Sequence, residues 1–196
     1  MPADPSLAKR ALRAELRERR RIATATERER AAEGVTRQLE ALVAEHGARS
    51  IAAYLSTPNE PQTREFLRRA HADGVRILLP VSRVDGLLDW ATYDGEDEDE
   101  DVLGMPTPTS ELLGPIAIND VDLIIVPAAA VDESGMRMGW GQGYFDKTLG
   151  SMEACPPVYA VVFDHEIVPT LPAERHDEGV DGVVTPTRTI TFPGSR

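Results

Sequence analysis

Residues 122–126 read Asp-Leu-Ile-Ile-Val, and Pro127 follows at once. A strand with one wet face alternates apolar and polar side chains; this run does not alternate, so both of its faces must be covered. That places it at the centre of a parallel sheet with a layer on each side. Residues 157–163 (Pro-Val-Tyr-Ala-Val-Val-Phe) read as a second buried strand, and 50–55 and 75–79 as two more, Pro80 ending the latter. Helical spacing separates them. Strands alternating with helices predict a three-layer α/β domain, a mostly parallel sheet with helices on both faces. With 196 residues and no internal repeat or linker, the chain reads as one domain, 1–196.

The helices carry recognisable punctuation. Residues 6–22 hold a sparse stripe of Leu7, Leu12 and Leu16, with Ser6 as cap. Thr26 with Glu29 suggests a capping box for a helix whose Val35, Leu39, Leu42 and Val43 face the core as far as Gly47. Thr63 caps a third, carrying Phe66, Leu67 and Ala70 to an Asp73-Gly74 stop. Strands are expected at 87–93 and, at the sheet edge, around Ile190 and Phe192.

Charge narrows the function classes. The net charge of −12 argues against general nucleic-acid binding, which needs a surplus of Lys and Arg. No stretch has the length of a membrane span, and the polar, basic beginning is unlike a signal peptide. One cysteine, Cys155, gives no disulfide framework and no cysteine zinc site, so a cytoplasmic protein is expected. From Lys9 to Arg21 there are seven basic residues; from Asp94 to Asp101, seven acids in eight positions. The acidic run has nothing apolar to bury and reads as a solvated, mobile loop over about 94–102.

Residues 137–147 read Arg-Met-Gly-Trp-Gly-Gln-Gly-Tyr-Phe-Asp-Lys. Glycines at every second position let a ligand approach the backbone, and successive N–H groups can form a concavity for anions. Arg137 adds a planar fork of donors, and Asp146 a hard oxygen of the kind Mg²⁺ takes when it travels with a nucleotide. This is neither a P-loop, since no Gly-Lys-Ser/Thr follows, nor the dinucleotide fingerprint, since Tyr144 stands where its third glycine would be. Trp140 fits either a ring-walling or an inward-packing role.

The same segment resembles the signature of the 5-formyltetrahydrofolate cyclo-ligases (methenyltetrahydrofolate synthetases), Arg-Leu-Gly-x-Gly-x-Gly-Tyr-Tyr-Asp, with Met138 for Leu and Phe145 for the second Tyr. Lys9-Arg10-Ala11-Leu12-Arg13 resembles the family's Lys-x-x-Leu-Arg start, and Leu55-Ser56-Thr57-Pro58-Asn59-Glu60 its strand ending in Ser-x-x-x-Glu. His176, Asp177, Val180 and Asp181 match its His-Asp-x-x-Val-Asp segment. The resemblance spans about residues 9–185 and implies a fold similar to the NagB/RpiA/CoA-transferase group. It implies ATP contacts at Lys9, Arg10, Arg13, Arg137, Met138, Gly139, Trp140, Gly141, Gln142, Gly143, Tyr144 and Phe145. It implies folate contacts at Leu55, Glu60, Trp140, Gly141 and Tyr144, and Mg²⁺ at Asp146 and Asp181. Where the family often has an aromatic near the folate, this chain has Leu103. On the residues alone, Arg10, Arg13 and Arg17 form a solvated helix face and Glu60 is an acid in a turn.

The implied reaction is ATP-dependent closure of 5-formyltetrahydrofolate to 5,10-methenyltetrahydrofolate, through phosphoryl activation of the formyl oxygen, with release of ADP and phosphate. Its partners are small molecules, with no nucleic acid or membrane, and a monomer is expected. The alternative is a non-catalytic folate- or nucleotide-binding module; a binder alone has no need of both carboxylates. Sugar-phosphate isomerase or CoA-transferase activity shares only the fold class. A hydrolase is disfavoured, because no serine or cysteine is marked out to partner His176 and Asp177.

Overall fold

The computed structural model describes residues 5–95, 98–174 and 177–194. In chain order come α1 (Pro5–Ile22), α2 (Ala25–His46), β1 (Ser50–Ala52), α3 (Arg64–Ala72), β2 (Arg76–Ser82), β3 (Leu88–Thr92), β4 (Glu98–Glu100) and β5 (Pro106–Pro108). After a 3-10 turn at Pro115–Asp120 follow β6 (Leu123–Pro127), β7 (Ala130–Asp132), β8 (Arg137–Met138), α4 (Tyr144–Gly150) and β9 (Val158–Val161). A short turn at Asp164–Glu166 leads to β10 (Ile167–Val168), β11 (Gly182–Val184) and β12 (Thr189–Thr191).

The central sheet has the order β12-β11-β9-β6-β1-β2-β3. Its five inner strands are parallel, and the edge strands β3 and β12 run antiparallel. The apolar run at 123–126 is the middle strand, β6. Leu123 and Ile125 pack with Leu39 of α2 and Phe66 of α3 on one face. Ile124 and Val126 pack with Leu149 of α4 and Ile118 of the 3-10 turn on the other. All four strand residues are at most 1 % exposed, each burial worth about 2 kcal/mol before chain entropy is counted. This is the three-layer α/β arrangement, with a mostly parallel sheet and helices on both faces.

Several local expectations shift. The capping box is Thr24 with Glu27, two residues earlier than Thr26 and Glu29, and Gly47 ends α2 at φ 59°. Ser6 lies inside α1 rather than at its cap. Thr63 precedes α3, but its hydroxyl donates to the Tyr54 carbonyl (2.7 Å) instead of capping. Pro80 does not end β2. Its neighbours' ladder bonds, Tyr93 to Ile77 and Arg83 to Leu87, put the Pro80 nitrogen on the side where β1 has already stopped, so no hydrogen bond is lost. Nor is the acidic run wholly loop: β4 pairs antiparallel with β5. The Asp101 carboxylate accepts the N–H groups of Ser82, Leu103 and Met105 at 2.8–3.0 Å, tying this ribbon to β2. Positions 96 and 97 lie outside the described residues, as do Arg175 and His176.

The chain order sets where a ligand sits. It moves outward from β1 through β2 to β3, then returns beside β1 with β6 and proceeds the other way. Such a reversal leaves a crevice outside the carboxyl ends of the two strands.

Candidate active site

A cavity of about 730 Å³ occupies that crevice. Tyr54, Leu55, Thr57 and Glu60 border it from the segment after β1, Pro80 and Ser82 from the end of β2, and Pro127 from the end of β6. Asp101, Leu103 and Met105 of the acidic ribbon border it from another side, α1 supplies Arg17 and Arg20, and the glycine loop supplies residues between Arg137 and Asp146.

The loop is held from beneath. Asp132 accepts from the Ser134 and Met136 N–H groups, and this turn pairs β7 with β8. Arg137 and Met138 are therefore strand residues, their side chains on opposite faces. The Met138 side chain is core, 2 % exposed and packed with Leu16 and Leu171, so it does not reach the cavity. Arg137 donates through Nη2 to Asp146 Oδ1 (2.6 Å), and its Nε is buried without a partner among the described residues. A Cβ on Gly139 would lie 3.0 Å from Arg137 Nη1. Gly141 and Gly143 sit at φ 101° and 73°, where other residues are strained. Gly141 does not itself border the cavity; Arg13 covers it and donates Nε to the Gly139 carbonyl (2.8 Å). Gln142 is exposed, Phe145 leans on the core beside β6, and the Tyr144 hydroxyl donates to the Arg83 carbonyl (2.8 Å), fastening the loop to the β2–β3 turn.

Trp140 does both things its residue type allowed. Its ring packs beside Leu16 and borders the cavity, with the Arg20 guanidinium 4.7 Å and the Arg17 guanidinium 5.2 Å from its centroid. Along α1, Arg13 lies against the glycine loop and Arg17 and Arg20 border the cavity, at i, i+4 and i+7. That is one turn later than the stripe beginning at Arg10, which is exposed and off the cavity. Arg20 is buried and gives two hydrogen bonds to Glu166 (2.7 and 2.8 Å) and one to the Ala128 carbonyl. Arg17, Arg20, Tyr54 and Asp101 are among the cavity residues that the motifs do not mark; helical spacing from Arg13 was the available signal for the two arginines.

Lys9 and Asp181, like Arg10, Arg13, Met138 and Gly141, do not border the cavity. Lys9 is 4 % exposed and its ammonium is held by Asp177 (2.5 Å) and Glu174 (2.7 Å). Burial pulls its pKa down, but the two carboxylates outweigh this and raise it above 10.5. Asp181 immediately precedes β11, where its carboxylate accepts the Val158 N–H at the start of β9 (2.8 Å). That is the amino end of the parallel strands, and the cavity is at their carboxyl ends. Asp122 does the same for Ser50 at the start of β1.

Glu60 borders the cavity while one of its oxygens accepts from the Thr57 N–H (2.8 Å) and hydroxyl (3.0 Å). Leu55 is buried and forms part of the wall. Of the two carboxylates expected to hold Mg²⁺, only Asp146 fits: it borders the cavity, and Oδ1 alone is engaged by described partners, Arg137 and the Glu178 N–H. One carboxylate beside phosphate oxygens and water satisfies this ion's preference.

A sequence model described as the 5-formyltetrahydrofolate cyclo-ligase family matches residues 5–186. The chain is 36 % identical to the 5-formyltetrahydrofolate cyclo-ligase of Mycolicibacterium smegmatis, over 91 % of this chain and 94 % of that one. It is 30 % identical to the Escherichia coli protein of the same name, over 72 % and 80 %. Among solved structures it resembles the 5,10-methenyltetrahydrofolate synthetase of Aquifex aeolicus, with TM-score 0.79, 24 % identity and coverage of 96 % and 94 %. The Mycoplasma pneumoniae synthetase gives TM-score 0.73 at 18 % identity, covering 91 % of this chain and 98 % of that one. At these identities the two structures speak for the fold. With the family match running across nearly the whole chain, this protein is a member of the 5-formyltetrahydrofolate cyclo-ligase family.

Proposed function

We propose that this protein closes 5-formyltetrahydrofolate to 5,10-methenyltetrahydrofolate, using ATP and Mg²⁺ and releasing ADP and phosphate. The observation that carries this is a single cavity bordered both by the Arg137–Asp146 pair of the glycine loop and by the Glu60 turn. The reaction asks for positioning more than for covalent chemistry. The formyl oxygen must meet the γ-phosphate in line, N10 then closes the ring, and phosphate leaves.

Backbone amides around Gly139 and Gly143, with Arg137, hold phosphate oxygens. Arg17 at the cavity edge counters their charge, and Arg13 fixes the loop through the Gly139 carbonyl. Mg²⁺ bound with the nucleotide at Asp146 would neutralise charge on the transferring phosphoryl group. Glu60 accepts hydrogen bonds from the amino-pyrimidine edge of the folate, while Leu55 and Tyr144 form apolar wall around the pterin. The residues invoked all belong to one chain, so a monomer suffices. Among the described residues no helix is long and apolar enough to cross a membrane, and a single cysteine fits a cytoplasmic enzyme.

The test is incubation with 5-formyltetrahydrofolate, Mg²⁺ and ATP, following the absorbance of the methenyl product and the ADP formed. Stoichiometric appearance of both is expected. Absence of ATP-dependent product would sink the proposal.

A further inference from the structure

Glu166 is wholly buried, and the proposed reaction gives it no task. Its carboxylate accepts from Arg20 Nε (2.7 Å), Arg20 Nη2 (2.8 Å) and the Phe163 N–H (2.8 Å). Arg20, itself 4 % exposed, gives a further bond to the Ala128 carbonyl (2.9 Å). Taking two charges out of water costs about as much as their attraction returns, so a buried pair is a poor source of stability. Two parallel bonds to one carboxylate do fix a direction, however, and a guanidinium is flat and rigid. Together with the Ala128 bond they set the plane of this cation.

That plane meets the Trp140 ring. The guanidinium carbon lies 4.7 Å from the Trp140 centroid and 5.3 Å from that of Phe163, both within cation–π reach. Trp140 precedes Gly141, where the loop turns at φ 101° with no side chain to hold it. Beyond Met138, whose carbonyl accepts the Ala129 N–H (2.7 Å), side chains hold the loop: Arg13 on the Gly139 carbonyl, and the Trp140 ring against Leu16 and Arg20. The same ring borders the cavity. A loop whose amides must meet phosphate oxygens tolerates little drift, since a displacement of about 1 Å can cost about a hundredfold in rate.

We propose that Arg20 and Glu166 are positioning residues for the nucleotide. Glu166 fixes Arg20, Arg20 fixes the Trp140 ring, and the ring fixes the glycine loop against the phosphates. This rests on the cyclo-ligase reading, in which that loop holds ATP.

The double substitution Glu166→Leu with Arg20→Met tests this, because it removes both charges together and so keeps the fold while leaving no planar cation on the ring. By titration calorimetry it is expected to bind ADP with Mg²⁺ about tenfold more weakly. In turnover its KM for ATP should rise by about the same factor, with the KM for the folate unchanged. A role confined to stability would instead lower kcat through the amount of folded enzyme and leave both KM values alone. Of the two tryptophans, Trp90 is wholly buried, so acrylamide quenching reports on Trp140 and should increase in the double variant. ADP binding as tight as in the wild type would overturn the proposal. Arg20→Lys keeps a charge opposite Glu166 without the flat group, and so decides the matter if the double variant does not fold. A loss of about threefold or more in ADP affinity is expected there, and no loss would overturn the proposal. A wild type that binds ADP but forms no methenyl product would overturn the enzymatic reading and leave the ADP comparison to decide this one. A wild type that binds no ADP would overturn both.

Discussion

The work a carboxylate does depends on which end of a parallel strand it occupies. Asp146 borders the cavity beside Arg137, while Asp181 satisfies the backbone at the start of β9. Asp146→Asn is expected to lower kcat by about two orders of magnitude or more with the circular dichroism spectrum retained. Asp181→Ala is expected to leave kcat of the folded protein within about twofold and to lower the unfolding free energy by about 1 kcal/mol in urea, the value of one hydrogen bond. Equal kinetic damage in both variants would contradict the separation. Both carboxylates stand in family-like motifs, so resemblance treated them alike; strand polarity separated them. Arg20 teaches the converse. Its position was legible as helical spacing from Arg13, but Glu166 lies 146 residues away and no local pattern points to it. Glu166→Leu leaves a buried guanidinium unpaired and should cost about 3–5 kcal/mol, with Arg20→Met in the same chain recovering much of it.

Elements were legible wherever local chemistry decides them. β6 declared itself because an unbroken apolar run admits few environments. The ribbon β4–β5 was not legible, since a run of acids has no apolar face; its order comes from Asp101 bonding Ser82, a contact between distant segments. Burial raises the Asp101 pKa, but the Ser82, Leu103 and Met105 N–H groups outweigh it and hold the folded value below 3.8. The contribution of this carboxylate is thus complete above pH 3.8 and is lost as pH falls through the lower folded value. Amide NMR should show the Ser82 and Met105 resonances steady above pH 4 and moving together below it. Helix α2 offers a sharper steric test. A Cβ on Gly34 would lie 2.2 Å from the Pro186 carbonyl oxygen, so Gly34→Ala should cost about 1–3 kcal/mol by thermal unfolding, with kcat unchanged.

At the scale of the whole molecule, the cavity joins α1, the segment after β1, the acidic ribbon and the glycine loop, parts far apart in sequence. A ligand there favours the state in which all of them are docked. ADP with Mg²⁺ at a hundred times its Kd should raise the unfolding free energy by about 2.7 kcal/mol, and hydrogen exchange should slow in α1 and in residues 137–147 together. Slowing confined to the loop would show that α1 takes no part. The attachment of α1 has a further consequence for a chain being synthesised. Its ion-pair anchors are Lys9 to Glu174 and Asp177, 165 and 168 residues downstream, and Arg20 to Glu166. Helix α1 is thus synthesised well before the carboxylates that pair with it. A translation product that ends between residues 150 and 165 contains the glycine loop and β6 but none of these ion-pair partners. Such a fragment leaves the basic helix without its carboxylate partners, its cations open to anionic polymers that the finished protein turns away.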